Sequence, residues 1–555
     1  SPSVVHCQED WAYGIMNPVT SIKTTSKGVL LGALFEEKEW DKIGSDQLDG
    51  SFGIFRDDEH FAQICSDMGG TRSIWYYTDQ EYFIASTSQR AIVMFLGSFE
   101  LDQRVIPWML STGTLGPYLS WDKRIKLLPA DSILTFNKKE WAFTLEHNPV
   151  AYTVQNKSDQ QHEKDLLKAI EDTFKNIKVD LNKWAITLSG GKDSRGILLL
   201  LLKKTKNSNT LKTYTYGHKG YDEVKDSDGY IAKRLAQKYG IKNEYFSAFS
   251  ISENEPVAKI CDRILKTGEG RADNIAGYMD GLSFWKYLFE NGTEGIIRGD
   301  MNFGLAHNLT FKSVRESHFF GQVYLSEEWE NLKALKNHAL PKQEFPDEFL
   351  KKPEESYNDF QDRFYSSYRM PFLLAALSDF KLSYIEVINP LLSRKILTAI
   401  RSTPDHLRRG AKLWNKYLKT MEKDIPYAVN ASHDIHLNEM GKSSFREHQL
   451  NCIRNSVFLP EYIKHLAISE HKNKASWKGK LIQWFRKSKI KNLLTTKQRF
   501  LIWRNFIGKR KNPSLSKEKM INRIFILSEM QRILHQDATL LKSEDSSKIL
   551  NYKSY

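Results

Sequence analysis

The segment Leu188-Ser189-Gly190-Gly191-Lys192-Asp193-Ser194-Arg195 carries the residues best suited to chemistry in this chain of 555 residues. Two adjacent glycines let the backbone pass close to an anion, Ser189 and Ser194 offer hydroxyl donors, and Lys192 and Arg195 add positive charge. An apolar run, residues 184–188, precedes the segment and a leucine-rich stretch follows it, so the loop opens a helix whose unpaired N–H groups face the same anion. The spacing is not that of a Walker loop, which requires Gly-x-x-x-x-Gly-Lys-Ser/Thr. Asp193 belongs among phosphates only if a Mg2+ ion bridges it to them. The pattern predicts a pyrophosphate cradle with Mg2+ bound among the phosphates.

Such a loop needs a strand behind it and a helix ahead. From about residue 158 the sequence supplies a long amphipathic helix pattern (160–178), the apolar strand and the loop, then a second strand and helix (213–217 and 230–239). Strands alternating with helices predict a doubly wound parallel sheet. Residues 27–137 read differently, as short strands at 28–35, 53–55, 61–65, 74–77, 82–85 and 132–136 between turn-forming clusters. Beyond about residue 327 nearly every segment reads as helix. The expected fold is therefore α/β, with a β-rich unit over 1–150, a parallel-sheet unit over 151–425 and a helical extension over 426–555.

Composition excludes several classes. At 41% hydrophobic and 12% aromatic the chain is too apolar for general disorder. The net charge of +14 is concentrated in residues 471–520, where 16 Lys or Arg meet one acid, Glu518, so the rest of the chain is close to neutral. The four cysteines, Cys7, Cys65, Cys261 and Cys452, lie far apart, which argues against a disulfide framework or a thiolate metal site and fits a reducing compartment. The longest aliphatic run, 197–202, is far shorter than a membrane span. A cytoplasmic protein is expected, with peripheral attachment at a membrane surface left open. Trp477, Trp484, Phe485, Phe500, Trp503 and Phe506 interleave with the basic residues, a composition suited to packing, to an acidic partner or to an anionic membrane, with nucleic acid the weaker candidate.

The Ser-Gly-Gly-x-Asp-Ser string resembles the ATP pyrophosphatase class, and roughly residues 27–420 resemble the asparagine synthetase family. Thr213-Tyr214-Thr215-Tyr216-Gly217 with Asp226-Ser227-Asp228 is similar to its second strand and acidic follow-on. Ile296-Ile297-Arg298-Gly299-Asp300 is similar to its second pyrophosphate and magnesium motif, and Ile385-Glu386-Val387-Ile388-Asn389-Pro390-Leu391-Leu392, with Lys412 beyond, to its Glu-x-Arg-x-Pro-Phe-Leu-Asp stretch and later lysine. The resemblance implies attack of a substrate carboxylate on ATP, giving an acyl-adenylate and pyrophosphate, then amide formation by an amine. It implies Mg2+ on Asp193 and Asp300, charge stabilisation by Lys412 and handling of the amine by Glu386. It places the nucleotide on Leu188, Ser189, Gly190, Gly191, Lys192, Asp193, Ser194, Tyr216, Gly217 and Gly299. Asp226 and Asp228 read as solvated or helix-starting acids.

Asp49-Gly50-Ser51-Phe52-Gly53, Asp67-Met68-Gly69-Gly70-Thr71-Arg72, Phe83-Ile84-Ala85-Ser86 and Leu128-Pro129-Ala130-Asp131-Ser132 follow the order of that family's glutaminase domain, an αββα fold of the N-terminal-nucleophile type. A working glutaminase needs a cysteine at a free amino terminus, whereas Cys7 has six residues before it and Gly32-Ala33-Leu34-Phe35-Glu36 stands where a glutamine-binding stretch is expected. The segment at Arg298 is shortened, and Ile388 and Ser393 replace the family's arginine and aspartate. The layout resembles β-lactam synthetases and lasso-peptide cyclases, which keep an inert first domain and use an amine already present in the substrate. The expected activity is Mg·ATP-dependent amide formation, by lasso-type macrolactam closure of a precursor peptide or on another specialised metabolite. Alternatives are amidation of a sugar acid or amino acid with ammonia or an outside amine, an RNA-modifying ATP pyrophosphatase, and a non-catalytic nucleotide-binding scaffold.

Overall fold

The computed structural model describes residues 4–8, 11–16, 22–205, 210–248, 255–301, 303–305, 310, 314, 325–338, 340–429, 443–468 and 514–540. Most of the basic stretch, residues 471–513 with its interleaved aromatics, lies outside the described residues. No helix among the described residues is long and apolar enough to cross a membrane.

The first unit begins with a separate hairpin, β1 (Val4–Cys7) and β2 (Ala12–Ile15). Then come β3 (Lys23–Thr25), β4 (Gly28–Leu34), β5 (Gly50–Asp57), β6 (Phe61–Ser66), β7 (Trp75–Thr78), β8 (Phe83–Ser86), β9 (Lys126–Leu127), β10 (Ser132–Asn137) and β11 (Ala142–His147). They form a six-stranded antiparallel sheet, β11-β10-β6-β5-β4-β3, and a three-stranded one, β8-β7-β9. Alternation along the strands fixes the faces. Ile64, Leu134 and Phe136 of the larger sheet meet Tyr76 and Phe83 of the smaller, while Leu30, Phe52, Ile54 and Cys65 turn the other way against Trp40 and Leu48. Helices at Gln89–Leu96 and Val105–Thr112 bury Ile92, Val93, Met109 and Leu110 in the largest core of the molecule.

The second unit holds a wholly parallel sheet of β12 (Trp184–Thr187), β13 (Lys212–Gly217), β14 (Lys242–Ser247), β15 (Gly295–Ile297) and β16 (Glu386–Ile388), in the order β14-β13-β12-β15-β16. The strand at Glu386–Ile388 interrupts the helical run expected beyond residue 327. Both faces are covered. Ala185, Tyr214, Ile296 and Val387 face one core, and Trp184, Ile186, Ile297 and Ile388 face the other. Chain order reverses between β12 and β15, and in open parallel sheets that is where the crevice for a ligand forms, beyond the carboxyl ends of the strands.

The extension expected over 426–555 is helical where it is described, at Ser443–Asn455, Glu461–Ile468 and Lys517–Leu540. The last of these is no appendage. Its 24 residues bury Met520, Ile521, Ile524, Phe525, Ile526, Leu527, Met530, Ile533 and Leu534 in the core that also contains Ile92 and Met109 of the first unit and Ile260 and Ile264 of the second. Arg523, almost fully buried, donates from Nε to Asp273 Oδ2 at 2.7 Å and from Nη1 to the carbonyls of Leu110 and Ser111 at 2.9 and 2.8 Å. Three segments distant in sequence thus hang on one guanidinium. Arg523→Met strands those acceptors, and we expect it to cost about 3 kcal/mol of stability, read as a lower denaturant midpoint at unchanged slope. A midpoint equal to that of the native chain contradicts this role.

Candidate functional site

The loop after β12 and the loop after β15 meet at the switch point. Thr215 of β13 donates its hydroxyl to the Leu188 carbonyl at 2.8 Å and Leu188 N–H donates to the Tyr214 carbonyl at 2.8 Å, which fixes the exit of β12. Beyond it, Ser189 N–H donates to Ser194 Oγ at 3.1 Å, the two hydroxyls lie 3.0 Å apart, and Gly191 N–H donates to Ser189 Oγ at 3.2 Å. These bonds curl the chain into the helix Lys192–Thr205. Gly190 is packed hard, since a Cβ there would stand 2.4 Å from the Ala428 Cβ, and Ala428 N–H donates to the Gly190 carbonyl at 3.1 Å. Residues 425–429 therefore strap the loop from outside. Arg195 reinforces the strap, donating to the carbonyls of Ile425 and Pro426 at 2.7 Å each and placing its guanidinium 4.2 Å from the Tyr427 ring centre. Arg195 is thus committed to structure, while Lys192 sits 5.9 Å from the same ring at the start of the helix.

Asp193 Oδ1 accepts from Trp414 Nε1 at 3.0 Å. Burial pushes its carboxyl up to about 7, against the Trp414 donor and with the nearby Asp300 charge adding to the rise. Gly299 explains the closeness of the two loops, because a Cβ on it would lie 2.8 Å from the Asp193 Cβ. Asp300 is held differently. Arg298 grips it with Nε to Oδ2 and Nη2 to Oδ1, both 3.0 Å, and the Asn389 amide bonds it as well. Burial would raise Asp300, but Arg298 more than cancels that and keeps its carboxyl below the usual range. Three of its roughly four acceptor positions are thereby used. The donor set fits a Mg2+ ion on Asp193, with Asp300 contributing charge and one remaining acceptor position.

The structure gathers most of the residues expected here. Leu188, Tyr216 and Gly217 stand at the carboxyl ends of β12 and β13, with the Tyr216 ring packed on Phe284 and Trp285 at 5.1 and 5.5 Å. Lys412 is the first residue of the helix Lys412–Met421, two positions before Trp414, and among the described residues its ammonium makes no hydrogen bond or ion pair. Asp228 begins the helix Asp228–Lys238, as a helix-starting acid should, and also accepts from Gly190 N–H at 3.0 Å. Glu386 stands apart. It is level with Gly295 at the amino end of β16, two residues before the row of Ile186, Ile297 and Ile388, or about 7 Å back along the strand. Its carboxylate accepts from Arg72 Nη2 of the first unit at 2.5 Å, and both side chains are buried.

Several residues at the site were not singled out from sequence. Lys381 is almost fully buried and donates to the Leu377 carbonyl at 2.6 Å and Tyr278 Oη at 3.2 Å. Burial, then Arg298, drives its ammonium well below the usual lysine value. Tyr365 and Arg369 lie on the π-helix Tyr365–Leu374, the guanidinium 5.6 Å from the ring centre, and both feel the Asp300 charge. The i, i+4 spacing of Tyr365 and Arg369 was the only available signal; for Lys381 there was none.

No family model and no curated protein matches the chain. Among solved structures it is similar to the U34-tRNA thiolase NcsA from Methanococcus maripaludis with its 4Fe-4S cluster, at 15% identity and a TM-score of 0.20, over 51% of this chain and 93% of that one. A likeness at that TM-score says nothing about activity.

Two outcomes follow from the geometry. Folding raises Asp193 from the ordinary 3.8 to about 7, so the folded state holds the extra proton between those values and stability falls as pH rises from about 4 to 7. Without added metal, Asp193→Asn escapes that loss. Its unfolding free energy should exceed that of the native chain by about 2 kcal/mol at pH 8 and by little at pH 4, and a difference independent of pH contradicts it. For the buried junction pair, Arg72→Met and Glu386→Gln should each cost about 3 kcal/mol and the double variant clearly less than their sum. Strict additivity in chemical denaturation would show that the pair is not coupled.

Proposed function

We propose that the protein is an ATP-dependent, AMP-forming amide ligase of the asparagine-synthetase type whose first unit serves as a fixed scaffold. The observation that carries this reading is the Gly-rich loop at the switch point of a parallel sheet, with Asp193 and Asp300 supplied by the two flanking loops. The face-to-face antiparallel sheets bonded to the same unit through Arg72 and Glu386 support ligation in particular. A carboxylate oxygen of the substrate attacks the α-phosphorus of ATP, the bond to the bridging oxygen breaks and pyrophosphate leaves. The amine then attacks the acyl carbon, the acyl–phosphate bond breaks, AMP departs and the nitrogen loses a proton.

Loop N–H groups and the hydroxyls of Ser189 and Ser194 bind the phosphates, and Gly190 and Gly191 let them approach. Asp193, with Asp300 beside it, would hold Mg2+, which screens charge on the departing phosphates when bound. Lys412, at a helix start and unpaired among the described residues, stabilises charge on pyrophosphate or on the acyl-adenylate. Leu188, Tyr216 and Gly217 line the adenine side. Glu386 is engaged by Arg72 and acts at the domain junction, so the amine relies on other groups around Asp300. Cys7 is exposed on the β1–β2 hairpin, which is hydrogen-bonded into neither domain sheet. That placement supports an amine carried by the substrate, as in closure of a peptide macrolactam, over ammonia made within the protein. The charge of residues 471–520 favours a second reading, ATP-dependent modification of RNA.

Carboxylate-dependent exchange of labelled pyrophosphate into ATP tests the proposal. We expect exchange with peptide or amino-acid carboxylates, its loss in Asp193→Ala, and a fall of about a hundredfold in Lys412→Met. No exchange with any carboxylate, together with AMP formation that requires tRNA, would replace ligation by the second reading.

A further inference from the structure

A narrow cavity lies at the seam between the two units, lined by Gly69 of the first and by Met301, Tyr365, Ser366, Met370, Leu392, Leu397 and Arg401 of the second. About 230 Å³ of space, part of it open to solvent, lies among these atoms. Four of the lining side chains, the two methionines and two leucines, are apolar.

Arg401 is the anomaly in that lining. It ends the helix Arg394–Arg401, only 7% of its surface is exposed, and it makes no hydrogen bond or ion pair among the described residues. Its Nε is buried without an acceptor. The acid that bears on it, Asp131, is already bonded to Arg394, and its other charged neighbour is Arg394 itself. Tyr152 also bears on it, and Tyr152 Oη lies 3.4 Å from Ser366 Oγ, whose hydroxyl donates to the Asp362 carbonyl at 3.0 Å. A guanidinium cannot shed its charge by losing a proton at any ordinary pH, and an isolated buried charge is strongly destabilising. One water could accept a single N–H bond but would leave the charge unbalanced.

We propose that this cavity is a binding site for a small monovalent anion, chloride in size, held by Arg401 at the seam between the two units. Arg401 supplies charge and N–H donors, Ser366 and Tyr365 border the site with hydroxyls, and the apolar wall excludes competing water. None of residues 188–195 lines the cavity, so the site is separate from the nucleotide loop. Because Gly69 and Met301 both line it, occupancy ties the first unit to the residue that follows Asp300. The inference is independent of the ligase reading and survives its failure.

Bromide serves as the probe. Crystals of the full chain grown in sodium bromide should show an anomalous peak in contact with the Arg401 guanidinium. In solution, replacing gluconate by chloride at constant ionic strength should raise the apparent melting temperature of the native chain by about 2–3 °C, and that of Arg401→Met not at all. A peak without the thermal shift marks an adventitious ion only and overturns the proposal. So does a water in place of bromide, or a chloride shift that persists in Arg401→Met. The bromide map needs no variant, so misfolding of Arg401→Met leaves the test intact.

Discussion

Two loops that leave the sheet on opposite sides of its reversal point touch where Gly299 packs on Asp193, and the rest of the site is arranged around that contact. It brings two carboxylates into one another's field at the carboxyl edge of the sheet. Each is stabilised in its own way. Asp193 takes a neutral indole donor and stays easy to protonate, whereas Asp300 is clamped by the guanidinium two residues earlier and stays ionised. Two like residues a few ångströms apart therefore offer different chemistry, one a carboxylate ready to exchange a proton for a metal ion and the other a fixed charge. The helix that begins at Lys412 and the strap at 425–429 buttress the arrangement through Trp414 and Arg195.

The joint between the two units follows a single electrostatic rule. Arg72 meets Glu386 and Arg394 meets Asp131 across it, and Arg90 meets Asp537 of the helix Lys517–Leu540 through a two-bond fork of 2.7 and 2.8 Å. Buried pairs of this kind add modest stability over well-packed apolar contacts, and their plainer effect is orientation, since a misplaced partner leaves a charge with nothing to balance it. The first unit is thus set at a fixed attitude beside the crevice at the switch point of the parallel sheet.

The strand–loop–helix turn at 188–195 was legible in the sequence because its signals are local: the glycines, the hydroxyls and the helix start lie within eight consecutive residues. Strand alternation similarly disclosed the parallel sheet and most of the first unit's strands. What escaped was long-range. The link of Glu386 to Arg72 spans 314 residues, and no pattern near either residue announces it. The closing helix was overshadowed by the charge beside it. The apolar residues over 520–534 fall on every side of a helix, which is the mark of an element buried all round, yet the basic count of 471–520 drew that region toward the solvent. Lys381 carried no sequence signal, because a lysine reads as exposed until tertiary contacts enclose it.

The burial of Lys517–Leu540 also orders events in time. Helices near residue 100 find their packing partner more than 400 positions later, so the principal core stays incomplete until Lys517–Leu540 has been translated. Early apolar surfaces must wait, and the waiting interval is when such surfaces aggregate or recruit chaperones. In this molecule the main core closes only once Lys517–Leu540 is available, and a ribosome that stops before that helix releases a chain with an open core.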